Sequence, residues 1–365
     1  MTSPHSGHSG PGTSREIAGS RSKPLRILVL GGTQFIGIHM AEVALERGHT
    51  LTLFNRGQSN PEMLPAAEKL KGDRNADLDA LKGRNWDAVI DNSGYVPRHV
   101  RMSAGLLAPQ VGRYLFISTI SVYASFAKAN DEASPLRTLA NESIEKVDGL
   151  TYGALKSLCE RTVHAACGNR ATILRPGFIV GPHDSTDRFT HWPARAAHGG
   201  EMIAPGSPAD PLQFVDARDL ARFTIEMLER DVTGTFNVTS PPGHFTIGQV
   251  IDESVAAANA LAHPQSEPRP VWIPTEFLEQ QQGSTMMVDF PIWLPAKGEL
   301  AACADINVTR ALNVGLKLRP LSVTVHDTLE WHLDRPIAER ASLKAGISVD
   351  RERELLAAWR KSHQK

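Results

Sequence analysis

The chain has 365 residues, 41% of them apolar, with 39 basic and 40 acidic side chains and a formal net charge of -1. That length allows one large or two modest domains, and the charge balance indicates neither a basic nucleic-acid surface nor an acidic tail. Cys159, Cys167 and Cys303 make no disulfide framework and show no metal-ligand spacing, so a reducing cytoplasm is the simplest expected location.

Residues 1–24 are rich in Ser, Gly, His and Pro and hold too few apolar side chains to fold alone. A disordered tail is expected there, with His5 and His8 solvated rather than metal-bound. No apolar signal segment precedes the first strand, and no run is long enough to span a membrane.

Order begins with Leu25 to Gly37, LRILVLGGTQFIG. Ile27 to Leu30 reads as a strand buried on both faces. Gly31 and Gly32 turn the chain, and Gln34 to Arg47 reads as a helix. A strand, a glycine turn and a helix start form an anion site from backbone N–H groups and the helix dipole. The implied ligand is a dinucleotide pyrophosphate, held by Gly31, Gly32, Thr33, Gln34, Phe35, Ile36 and Gly37. The spacing departs from the usual fingerprint, since Gln34 stands where the middle glycine is expected.

Strand and helix patterns then alternate. Strands are expected at Thr50–Phe54, Lys69–Lys71, Asp87–Ile90, Tyr114–Ser118 and Ala171–Arg175. Between them Asp77–Leu81, His99–Leu107 and Thr151–Ala166 read as helices. Cys159 and Cys167 lie two turns apart on the last of these, as core thiols. Such alternation gives an α/β fold, a Rossmann-like doubly wound parallel sheet with right-handed crossovers. Prolines, glycines and histidines crowd Pro176 to Pro211, as in long loops over a pocket. His183, His191, Trp192 and His198 are candidates to line it. Structure resumes with Gln213–Val215, the helix Asp219–Leu228, Thr235–Val238 and the helix Ile247–Ala258. Pro291–Pro295 is a Trp-containing loop, Leu321–Leu333 a helix and Asp350–Lys361 a charged tail helix. The expected division is a dinucleotide-binding domain over 25–180, with 213–240 returning to the sheet near Gln213. A smaller C-terminal substrate lobe follows over 181–212 and 241–335, and a tail over 336–365.

Tyr152 and Lys156, four apart, share one helical face. Beside a bound cofactor the ammonium can lower the phenol pKa, making Tyr152 a general acid or base near neutral pH. Thr119 ends the fifth strand, where open α/β sheets bind ligands, and offers a hydroxyl to a substrate oxygen. Its simpler role is a bond to local backbone. The second strand ends in Asn55-Arg56-Gly57 with no acid to repel a 2′-phosphate, and Arg56 is a planar charged donor. NADP is therefore expected to bind better than NAD.

Together GGTQFIG, GDR at 72–74, DNSG at 91–94, ISTISVY, YGALK, LRPGFIVGP and QFVDARDLA resemble the extended short-chain dehydrogenase/reductase superfamily, NAD(P)-dependent epimerase/dehydratase group. The resemblance runs from about Leu25 to about Trp331. It implies that Thr119, Tyr152 and Lys156 are the catalytic trio and that Lys156 bonds the nicotinamide ribose. It places Asp73 near the adenine, Ser93, Gly94 and Tyr95 along the cofactor's centre, and Arg175-Pro176-Gly177 beside the nicotinamide. Sugar-nucleotide dehydratases of the family carry an Asp–Glu pair after the threonine. Ile120 and Ser121 stand there, which argues against dehydration. Nucleotide-sugar epimerases usually carry an arginine where Leu212 falls, and Arg188 or Arg218 is a candidate replacement. Phe-Asn-Arg-Gly and the glycine turn also resemble the chloroplast stem-loop-binding branch, whose members are associated with RNA.

The expected function is hydride transfer at a secondary alcohol or ketone of a sugar or sugar-like small molecule, as an epimerase or a reductase. A nucleic-acid-binding relative and a cofactor sensor without turnover are the alternatives. The intact Tyr–Lys pair and the absence of a basic surface count against the first, and turnover measurements separate the second. No nucleic acid, membrane or metal partner is expected, and a homodimer stays open.

Overall fold

The computed structural model describes residues 23–282 and 286–363. The expectations for residues 1–22, His5 and His8 included, lie outside the described residues. First come β1 (Arg26–Leu30), α1 (Ile36–Glu46), β2 (Thr50–Asn55), β3 (Glu68–Lys71), β4 (Trp86–Asp91), α2 (Pro97–Leu107), β5 (Val111–Ile117), α3 (Tyr152–Cys167) and β6 (Ala171–Pro176). Then follow β7 (Phe178–Val180), α4 (His191–Ala197), β8 (Glu201–Pro205), β9 (Pro211–Leu212), β10 (Phe214–Asp216), α5 (Ala217–Glu229) and β11 (Gly234–Val238). The remainder is β12 (Phe245–Thr246), α6 (Ile247–Leu261), β13 (Arg269–Ile273), α7 (Thr275–Gln282), α8 (Met286–Asp289), α9 (Thr309–Asn313), α10 (Leu321–Asp334), α11 (Ile337–Arg340) and α12 (Val349–His363).

Seven strands form a parallel sheet in the order β11-β6-β5-β4-β1-β2-β3. The period of two along β1 explains why this run must be central. Ile27 and Val29 join the core under α1 and α5, while Leu28 and Leu30 join the one under α2 and α3. The fold is a doubly wound, Rossmann-like sheet. Strand order reverses between β1 and β4, so a crevice opens at the carboxyl ends of these two strands.

The expected return to the sheet near Gln213 is corrected. Phe214–Asp216 pairs with Phe178–Val180 in a separate two-stranded ribbon, and Gly234–Val238 is the segment that joins β6. Gly177 makes the break. Its N–H donates to Val238 O at 3.2 Å, and a Cβ there would sit 2.7 Å from Thr239 Oγ1. The chain therefore leaves the sheet at Gly177 and continues as β7, which offers β10 its edge.

The lobe has its own core, with Trp192, Phe214 and Trp293 packed among α4, α6, α10 and α12. The charged terminal helix docks on it rather than trailing away. Leu355 and Leu356 are buried, and the Glu352 carboxylate accepts from Arg195 Nε at 2.6 Å and from Ile203 N at 2.9 Å. Among the described residues no helix is long and apolar enough to cross a membrane.

Candidate active site

A cavity of about 920 Å³ follows the carboxyl edge of the sheet from the glycine turn to the lobe. Its first wall is the turn between β1 and α1. Gly31 and Gly32 take φ of 108° and 96°, which side chains with a Cβ rarely adopt. Phe35 takes a φ of 39°, and no side chain caps α1. Gly31, Thr33, Gln34 and Ile36 face the cavity. Gly37 does not. It is required for packing, because a Cβ there would lie 2.6 Å from the Gly32 Cα. Gln34, in the middle-glycine position, is exposed and lines the cavity. A turn that opens on two glycines at an uncapped helix start, facing a cavity of this size, fits the pyrophosphate of a dinucleotide.

Thr119, Tyr152 and Lys156 line the same cavity, between the glycine turn's strand edge and the lobe residues Phe178, Arg188 and Leu294 that line it too. The approach of α3 depends on Gly153, where a Cβ would lie 2.1 Å from the Ser121 carbonyl oxygen. Lys156 is buried, and its Nζ donates to Gly94 O and to Ile117 O, each at 2.7 Å. An ammonium has three N–H donors, so one remains for a ligand. Nζ also stands 4.1 Å from the centre of the Phe116 ring, a cation–π contact. Burial pulls the Lys156 pKa down to about 8. Burial pushes the Tyr152 phenol up to about 12; Tyr95 adds to the rise, and the hydrogen bond to Thr119 opposes it. In the protein alone burial dominates, and the charge that opposes it is that of Arg188 rather than the expected Lys156. Thr119 Oγ1 accepts from Ser121 N at 3.1 Å and donates to Ser121 Oγ at 3.2 Å, so the local role also holds.

Other candidates are dispersed. Asn55 lines the cavity but is occupied, its Nδ2 donating to Gly31 O at 3.3 Å and its Oδ1 accepting from Gly57 N at 2.8 Å. Arg56 is exposed at the rim. Asp73 lines the cavity and accepts from Asn75 N at 2.9 Å. Ser93 lines it too, with its Oγ donating to Leu30 O at 3.0 Å. Gly94 serves through its carbonyl on Lys156. Arg175 is corrected. It is buried and turned to α3, with Nη2 donating to Glu160 Oε2 at 2.7 Å and Nη1 to the Tyr123 hydroxyl at 3.2 Å.

The conspicuous lobe residues are corrected as well. Trp192 is core, donating from Nε1 to Pro291 O at 3.0 Å. His191 is buried beside it, and burial drives its pKa down to about 3. His183 packs between His39 and Trp331, and His198 donates to Ala194 O. None of the four faces the cavity. Arg218 is bound to Asp216 and Asp327, whereas Arg188 does line the cavity. Sequence reasoning passed over Arg74, whose guanidinium pairs with buried Asp91 at 2.6 Å and donates to Ser93 Oγ at 3.0 Å. Both residues sat in quoted motifs, yet nothing in the spacing joined them. It also passed over Cys303 and Gln213 as cavity residues.

The family model described as the NAD dependent epimerase/dehydratase family matches residues 27–239. Chloroplast stem-loop binding protein of 41 kDa b from Arabidopsis thaliana is 26% identical over 242 residues, 60% of this chain and 60% of that protein. A 2-alkyl-3-oxoalkanoate reductase from Stenotrophomonas maltophilia (strain K279a) is 28% identical over 221 residues, 54% of this chain and 64% of that protein. The chain therefore spans less than two thirds of the length of either curated relative. The structure of the Bordetella bronchiseptica enzyme WbmH in complex with NAD+ shares the fold, with a TM-score of 0.61 and 17% identity over 86% of this chain and 99% of that one.

Proposed function

The chain belongs to the NAD-dependent epimerase/dehydratase family, and from that premise we propose that it is an NAD(P)-dependent oxidoreductase acting on a secondary alcohol or ketone. The observation that carries the reading is the meeting of Thr119, Tyr152 and Lys156 in the cavity that begins at the glycine turn. A bound nicotinamide supplies or accepts the hydride. The Tyr152 hydroxyl gives its proton to the substrate oxygen in reduction and takes it back in oxidation. Thr119 orients that oxygen, and the spare Lys156 donor holds the nicotinamide ribose and favours the phenolate once both lie beside it. The turn from Gly31 to Ile36 holds the pyrophosphate, with Asp73 and Ser93 along the dinucleotide.

Arg56, without an acid beside it at the end of β2, favours NADP over NAD. The rim at Arg56, Gly57 and Gln58 is exposed, which suits a dinucleotide that exchanges between turnovers. We therefore read net reduction or oxidation rather than epimerisation, in keeping with the reductase among the relatives. With 39 basic against 40 acidic side chains, the charge balance gives an RNA-binding reading little support.

The test is Tyr152→Phe. It should reduce turnover by roughly 100- to 10,000-fold while leaving dinucleotide affinity and thermal stability nearly unchanged. Wild-type turnover in the variant contradicts the reading.

A further inference from the structure

Resting on that hydride-transfer reading, we infer that the substrate is an amphiphilic acid, an apolar body carrying a carboxylate, and that Arg188 takes the carboxylate. Two features of the cavity beyond Tyr152 carry this. The first is the wall, built from Phe126, Phe178, Ile179, Leu294 and Leu300. Ser185, Thr186, Gln213 and Cys303 line the cavity as well, but Thr186 Oγ1 is held between Arg188 and Asp184 and the Gln213 amide is spent on the protein. Nε2 donates to Ser240 O at 2.8 Å and Ile306 O at 3.0 Å, and Oε1 accepts from Ile306 N at 2.8 Å. A sugar placed against Phe126, Phe178, Ile179, Leu294 and Leu300 would bury hydroxyls on apolar side chains, which costs binding.

The second feature is Arg188 itself. Its neighbours in the lobe are matched to carboxylates: Arg195 to Glu352, Arg218 to Asp216 and Asp327, and Arg335 to Asp187. Among the described residues Arg188 has no ion pair, and neither Nη has a hydrogen-bond partner. Its Nε donates to Thr186 Oγ1 at 2.9 Å, and Thr186 in turn donates to Asp184 Oδ1 at 2.7 Å. Its guanidinium stands 5.3 Å from the centre of the Phe178 ring. Asp187, next in the chain, accepts from Arg335 at 2.8 Å and from Lys344 N at 3.1 Å, so the loop is tied on both sides. The guanidinium is thus held by Nε and a ring, with both Nη groups left as a fork, the geometry that binds a carboxylate in two places. Its charge also reaches Tyr152, where it favours the phenolate. Arg188 and Tyr152 line the same cavity, so a carboxylate on the one and the reacting oxygen beside the other can belong to a single small substrate, such as a 3-hydroxy or 3-oxo acid. In reduction of such a 3-oxo acid the carbonyl carbon gains the hydride of the reduced dinucleotide. Its oxygen gains the Tyr152 proton, and a 3-hydroxy acid and the oxidised dinucleotide result.

The experiment is calorimetric binding to the full chain, saturated with whichever oxidised dinucleotide binds tighter. The ligands are 3-hydroxydecanoate, nonan-2-ol as the same body without the carboxylate, and UDP-glucose. Wild type should bind the acid roughly 10- to 100-fold more tightly than the alcohol. Arg188→Gln should remove that preference, and Arg188→Lys should recover part of it, with unfolding temperatures unchanged. Failure of wild type to bind the acid, equal binding of acid and alcohol, a preference that survives in Arg188→Gln, or UDP-glucose binding that depends on Arg188 would each overturn the inference. The readout is equilibrium binding, so it can fail while Tyr152→Phe behaves as expected, and the reverse.

Discussion

The two walls of the cavity are made differently. The sheet-edge wall is dense in hydrogen-bonding groups: the glycine turn, Ser93, Thr119, Tyr152 and Lys156. Behind it the charges are buried and matched, Arg74 on Asp91 and Arg175 on Glu160. The lobe wall is largely apolar, with Arg188 as the one cation among its described lining residues, and His191 and Trp192 are turned into the core. On the proposed reading the difference separates two tasks. A dinucleotide and a proton in transit need fixed donors, which a parallel sheet supplies at its carboxyl edge. Choice of substrate needs shape and one or two charges, which loops from a separate core supply.

Breaking the support of the sheet wall should have the largest effect on stability. Glu160 is 3% exposed and accepts from Ser118 Oγ at 2.5 Å as well as from Arg175. Glu160→Ala leaves a buried guanidinium unmatched and should cost about 3–5 kcal/mol in denaturant unfolding. The double variant Glu160→Leu, Arg175→Met should recover much of that loss. If the single variant unfolds like wild type, the sheet wall does not depend on matched charge.

The lobe should instead show its neutral burial through pH. His191 has its pKa driven to about 3 by burial, from an ordinary 6.5. The unfolded chain therefore binds the proton first as pH falls. The stability His191 leaves intact above pH 6.5 is lost progressively below it, by about 2 kcal/mol at pH 5. His191→Phe should flatten that part of the acid limb between pH 7 and pH 5. An unchanged slope would place the acid sensitivity elsewhere.

These contrasts also mark what was legible. Ile27 to Leu30 and the alternation after it announced the sheet, because a strand buried on both faces has no room for polar residues. Thr119, Tyr152, Lys156 and the turn from Gly31 to Ile36 were legible because motif spacing on one strand end or one helix turn becomes spacing in the cavity. Arg175 was misplaced because adjacent strand residues point to opposite faces. Pro176 faces the cavity, and its neighbour turns to Glu160. His183, His191 and His198 misled because composition alone does not tell a loop over a pocket from one folded into a core. Arg188 was visible only as one of two candidates, until Arg218 proved to be paired.

The smallest effect expected is at the rim. Arg56→Ala should weaken NADP binding by roughly tenfold and NAD binding far less, at fixed salt. Equal losses for both, or tighter NAD binding by wild type, would remove Arg56 as the discriminator.

Hydride transfer beside Tyr152 is the central claim, and isotope transfer tests it most directly. Wild type is given NADPH carrying deuterium at the transferable C4 position with a panel of ketones that includes 3-oxodecanoate, and the products are weighed by mass spectrometry. The account predicts an alcohol with one deuterium on the carbinol carbon, formed by wild type and nearly lost in Tyr152→Phe. No deuterated alcohol from any ketone, with NADH tried in the same way, or equal formation by both proteins, would contradict it.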